Sequence, residues 1–156
     1  MHGHRFWTIA CIMLIPAFVQ AEETKIRMAK ATPEQSVFFE TKVRPLLSES
    51  CFGCHGGDPK KEPKAGLDMT SLEGMLVGGE SGPALVPGNL DKSRIIEAVR
   101  YRNDNMAMPP KKPLPPEQVK ILEDWVQSGA PWPGFEGELA VGKEGSEEPY
   151  DWDKFR

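Results

Sequence analysis

Cys51-Phe52-Gly53-Cys54-His55 is the stretch whose residue types and spacing speak most directly of chemistry. Two thiols three positions apart, followed at once by an imidazole, make the C-x-x-C-H run that attaches a c-type haem. Each thiol adds across one vinyl group of the same porphyrin edge, so the two sulfurs must reach neighbouring points on a flat ring. One helical turn between them gives that reach. The histidine directly after the second cysteine then lies under the iron as its proximal nitrogen ligand. Cys51, Cys54 and His55 are therefore the candidate cofactor-binding residues, His55 the candidate metal ligand, and one covalent haem c the expected cofactor.

Three plainer uses of the same residues fit less well. A redox C-x-x-C is expected beside a strand-helix-strand pattern, and the flanks here show none. A structural zinc site needs four closed ligands, and beyond the first segment the chain has only Cys51, Cys54 and His55 of the usual Cys and His types. A disulfide across so short a loop would constrain almost nothing.

Residues 1–21 read as a secretory signal. His2, His4 and Arg5 give a weakly basic start, Phe6 to Val19 is apolar, and Val19-Gln20-Ala21 offers a small-residue cleavage point before Glu22. The apolar run, broken by Pro16, is too short to span a bilayer, so no transmembrane span is expected in the mature chain. Cleavage removes Arg5 and no acid, which takes the net charge from −4 to −5. It also removes Cys11, His2 and His4. A periplasmic or otherwise exported location follows, and c-type haem is attached in such an oxidising compartment. The negative charge argues against a nucleic-acid partner.

The elements that must hold this site are helices separated by long loops, as 15 Gly and 15 Pro in 156 residues foretell. Residues 22–32 read as a flexible polar arm. Thr32 is the N-cap of a first helix, with Pro33 at its first position and Gln35 closing a capping box. Val37, Phe38, Val43, Leu46 and Leu47 fall mostly on one face, and Pro45 predicts a kink and an imperfect second half before Cys51. A lysine-rich loop runs from Gly56 to Gly66. Thr70-Ser71-Leu72-Glu73 reads as a second capping box opening a helix that ends at Gly78-Gly79. The stretch 80–88 is too rich in Gly and Pro for regular structure. A third helix is expected over 91–101 with Ile95, Ile96 and Val99 inward. Pro115-Pro116 opens the last, with Val119, Leu122, Trp125 and Val126 at helical spacing and Gly129 ending it. Trp125 reads as core. Residues 134–156 form an acidic linker or tail that the fold should not need, although Tyr150, Trp152 and Phe155 close it.

A six-coordinate iron needs a second axial ligand, and no histidine remains for it. Met28, Met69, Met75, Met106 and Met108 are the candidates, with lysine a weaker one. The ordinary role of any methionine is to fill gaps in the core. Pro109 and Pro110 stiffen the chain behind Met108, which lowers the entropy cost of presenting its sulfur. Met106, two residues earlier, would point the same way in an extended segment. Lys60, Lys61 and Lys64 after the histidine, and Lys111 and Lys112 after Met108, could form a basic rim for a redox partner. Solvated lysine is the equal alternative.

These stretches together resemble the planctomycete-type cytochrome c domain, a member of the class I cytochrome c group. The likeness lies in Phe38-Phe39-Glu40-Thr41-Lys42-Val43-Arg44-Pro45-Leu46-Leu47 leading to the C-x-x-C-H run, in 79–88, in Met108-Pro109-Pro110, and in Leu122-Glu123-Asp124-Trp125-Val126 through Gly129-Ala130-Pro131-Trp132-Pro133. Coverage is residues 33–133. The resemblance implies an all-α fold: a small class I cytochrome c-like domain of about four helices around one covalent haem, with Cys51 and Cys54 as attachment points, His55 proximal and Met108 distal. It also implies a module commonly found at the front of longer exported proteins. The expected function is single-electron transfer, without catalytic residues or a reaction of its own. The alternatives are a five-coordinate haem sensor or haem enzyme, and a truncated electron-entry module of a larger enzyme. The redox partners are not named by the sequence.

Overall fold

The computed structural model describes residues 25–140. The signal-like segment and the Tyr150, Trp152 and Phe155 end of the tail lie outside them. Strand β1 (Lys25–Met28) precedes α1 (Pro33–Phe38), a π turn (Phe39–Val43) and α2 (Arg44–Ser50), followed by α3 (Leu72–Val77), α4 (Arg94–Val99), α5 (Pro116–Gln127) and strand β2 (Gly137–Ala140). α1, the π turn and α2 run on as one helix, since the residues at their junctions keep helical dihedrals. Counted so, there are four helices among the described residues.

The first helix starts as its sequence dictates. The Gln35 amide donates to Thr32 Oγ1 (3.2 Å) and the Thr32 amide donates to Gln35 Oε1 (2.9 Å), a reciprocal capping box. Proline at 45 cannot donate to the carbonyl four residues back and crowds it. The irregularity it causes falls ahead of it, in the π turn, where the Arg44 amide donates to Phe39 O. The second half is regular α-helix, which corrects the expected imperfect end. The inward stripe also differs from the expected one. Phe39, Val43, Leu46 and Leu47 are buried, an i, i+4, i+7, i+8 pattern, while Phe38 is half-buried and Val37 is 62% exposed.

α3 begins one residue later than the sequence indicated. Ser71 is its N-cap, accepting from the Gly74 amide (3.0 Å), and no capping box forms because a glycine occupies the third helical position. The Thr70 hydroxyl instead donates to Asp68 Oδ1 (2.6 Å). α4 is shorter than expected but buries Ile95, Ile96 and Val99 as foreseen. α5 buries Leu122, Trp125 and Val126. Its end is a Schellman motif: Gly129 sits at φ 94°, with Gly129 N–H to Val126 O (3.0 Å) and Ala130 N–H to Trp125 O (2.9 Å).

The all-helical expectation fails in one place. β1 and β2 pair antiparallel, Ile26 opposite Leu139 and Met28 opposite Gly137, with Met28 buried. The polar arm and the acidic tail therefore contribute a two-stranded sheet, and the packed unit runs past 33–133 at both ends. A cut at residue 137 would remove β2.

Aromatic rings cluster in the core where the π turn meets α5. Phe39 lies 5.9 Å from Trp125 and 4.7 Å from Trp132 between ring centroids, and the two tryptophans are 6.3 Å apart. Trp125 Nε1 donates to Pro131 O (3.1 Å), satisfying its one polar atom. The Arg44 guanidinium covers Phe39 (4.8 Å) and Trp132 (5.5 Å) and is held there by a two-pronged bond to Glu40. That contact also keeps the Glu40 carboxyl below its usual range. α4 is tied to α5 by Arg100 and Glu123 (2.8 Å).

Candidate functional site

The C-x-x-C-H run continues directly from the end of α2. The Cys51 and Phe52 amides both donate to Leu47 O (2.9 and 3.0 Å), and the Cys54 and His55 amides both donate to Cys51 O (3.1 Å each). The run is thus a tight turn, which brings residues 51, 54 and 55 round a single loop of backbone. Its far side is anchored by two long connections. Lys64 N–H donates to Cys54 O and Met69 N–H to His55 O, each at 3.0 Å. Two glycines allow the close approach. Gly56 is at φ 98°, and a side chain there would meet Asp68; at Gly57 it would meet the Phe52 carbonyl.

Neither cysteine is in a disulfide. Cys51 is half-buried against the core and Cys54 is exposed. Burial pushes the Cys51 thiol up to about 11, and the neighbouring Cys54 adds to the shift. A redox C-x-x-C works through a thiol whose pKa is lowered; this one is displaced the opposite way. Among the described residues no cluster of three or more His, Cys, Asp or Glu side chains is placed to hold a metal ion.

His55 is half-buried, and its Nδ1 is fully buried with no hydrogen-bond partner. A buried ring nitrogen without a partner is costly, and such atoms in native folds commonly mark a ligand or catalytic role. Two thiols on a tight turn and an imbalanced imidazole beside them fit a covalently held haem.

The methionines divide sharply. Met28, Met69 and Met75 are buried among the core side chains and fill gaps there. Met106 is half-buried, and Met108 is 40% exposed. The Met108 backbone is nevertheless fixed, its amide donating to Ala98 O (3.1 Å) at the end of α4. The Tyr101 hydroxyl donates to Pro109 O on the other side. Tyr101 escaped the sequence reading, as did the packing role of Trp132. The tryptophan has a signal, an aromatic between two prolines just past a helix end; the Tyr101 hydroxyl bond has none.

Comparison with known families finds a likeness over the central stretch. Residues 51–112 match the family described as Planctomycete cytochrome C, so the resemblance carried by the motifs is supported over that stretch. The match takes in both the Cys51–His55 run and Met108-Pro109-Pro110. No curated protein and no solved structure matches the chain. Among the described residues no helix is long and apolar enough to cross a membrane.

Proposed function

We propose that this chain is an exported mono-haem c-type cytochrome that carries single electrons through an iron ligated by His55 and Met108. When bound, the haem supplies an iron that alternates between ferric and ferrous states. Cys51 and Cys54 would hold it through thioether bonds, each S–H adding across one vinyl group with no oxidant or reductant needed. The turn from Leu47 to His55 presents these two sulfurs and the imidazole from one rigid loop. A ring nitrogen of His55 would ligate the iron. The Met108 thioether, neutral and polarisable, favours the ferrous state relative to a second histidine and so raises the potential.

The observation that carries this reading is the sorting of the methionines. Three of the five candidates are consumed by core packing, while Met108 stands on a pinned backbone with its side chain turned outward. The amino-terminal apolar segment supports export. Lys60, Lys64, Lys111 and Lys112 are exposed, and Lys61 pairs with Asp58 (2.9 Å), which leaves a basic rim available to an acidic redox partner.

Replacing Met108 by Ala in the haem-loaded protein tests the assignment. The weak far-red sulfur-to-iron band of the ferric form should vanish, the potential should fall, and carbon monoxide and cyanide should bind readily. Met106→Ala should leave all three unchanged. A band that follows Met106 would move the ligand by two residues. A native protein without the band that binds carbon monoxide freely would put the sensor or enzyme reading ahead.

A further inference from the structure

Residue 108 is fastened on both sides to the same short piece of chain. α4 ends at Val99 with Arg100 as its C-cap, and Tyr101 turns the chain away with φ 55°, a left-handed conformation uncommon for a side chain of this size. The chain then doubles back through a turn in which the Met106 amide donates to Asn103 O (3.0 Å) and the Asn105 amide to Asn103 Oδ1 (3.1 Å). On its return the Met108 amide donates to Ala98 O, the carbonyl that also accepts from the Tyr101 amide (3.1 and 3.3 Å). The Tyr101 hydroxyl then reaches past residue 108 to Pro109 O. One attachment lies on the amide of residue 108 and the other on the carbonyl of the residue after it. Together they hold the backbone on either side of the Met108 side chain.

The first attachment is a main-chain bond that any residue at 108 would make. The second depends on a single phenolic oxygen, and phenylalanine at 101 would keep the ring and lose only that bond. Pro109 has no amide N–H, so its carbonyl is the one main-chain hydrogen-bonding group it offers. We propose that Tyr101 is a positioning residue for the Met108 thioether, acting through the Pro109 carbonyl to hold the sulfur in place and so to set how firmly the second axial position is closed. This rests on the reading of Met108 as the axial ligand.

The test is Tyr101→Phe in the full haem-loaded chain, alone and combined with Met108→Ala, with the far-red band, cyanide binding to the ferric protein and the melting temperature all measured. Tyr101→Phe alone should weaken the band and speed cyanide binding about three- to tenfold, the worth of one such hydrogen bond. In the Met108→Ala background the same change should leave the cyanide rate unaltered, because the group through which Tyr101 acts is gone. A melting temperature that falls while band and cyanide rate stay at wild-type values would make Tyr101 merely structural and overturn the proposal. So would an equal acceleration in both backgrounds, which would mean general loosening. A Met108→Ala protein that keeps its band overturns the ligand reading, and this proposal with it; a Met108→Ala protein that loses the band while Tyr101→Phe changes nothing overturns this proposal alone.

Discussion

Two regions of the first helix are held by different physics. At its middle, Phe39, Trp125 and Trp132 pack ring against ring under the Arg44 guanidinium, and nearly every contact is between side chains. At its carboxyl end, the Cys51–His55 turn is held by main-chain bonds to Leu47, Lys64 and Met69, much as the separate Met108 segment is held by bonds to Ala98 and Tyr101. The aromatic end gains its stability from burying apolar area and needs nothing added. The cysteine end uses its side chains otherwise: two thiols are free and one imidazole has a buried unpartnered nitrogen. A region built on backbone bonds keeps its shape while its side chains remain available for chemistry.

The contrast can be broken most forcefully from the aromatic side. Trp125→Ala should cost about 3–5 kcal/mol by removing a fully buried ring from a close-packed cluster, as read from denaturant unfolding of the haem-loaded protein. A loss below about 1 kcal/mol, on the same scale, would mean that the bound cofactor and not the aromatic cluster dominates the core. Deleting residues 137–156 should cost less, about 1–2 kcal/mol, since half-buried Leu139 and the cover over Met28 are lost while the haem spectrum is kept. A spectrum that changes with the deletion would tie the sheet to the site.

The smallest effect sharpens the comparison at the thiols. In the chain before haem attachment, exposed Cys54 should be alkylated ahead of Cys51 at mildly alkaline pH, the two being resolved by peptide mass. Because burial holds the Cys51 thiol protonated up to about 11, its reaction should accelerate as the pH rises from 9.0 towards that value. The sign for stability is the same. The folded form prefers the neutral thiol, so this contribution is intact below pH 9.0 and is lost as the pH rises through about 11. Equal alkylation rates for the two cysteines would show that Cys51 is not shielded.

What could be read from the sequence follows the same division. The capping box at Thr32, the stripe of Leu122, Trp125 and Val126 and the glycine stop at 129 are local signals with local causes, and each appears in the fold. Val37 was misplaced because it stands well off the face of Val43, which the nearby Phe39 shares. The start at Ser71 was missed by one residue because Thr70 and Ser71 are equally good caps, and the choice falls to Asp68, which takes the Thr70 hydroxyl. The sheet was invisible for another reason. Lys-Ile-Arg-Met does alternate, but over four residues, and its partner lies more than a hundred positions away. Tyr101 carries no mark at all, since neither its left-handed backbone nor its bond to Pro109 is announced by a glycine or a motif.

The most direct measurement of whether this region carries a covalent cofactor is the intact mass of the denatured chain, made together with haem-attachment machinery. A single species heavier than the polypeptide by one haem is expected, and the Cys51→Ala, Cys54→Ala double variant should return to the bare polypeptide mass. A wild-type chain of bare mass, its haem stripped completely by acid-acetone, would contradict the assignment of Cys51 and Cys54.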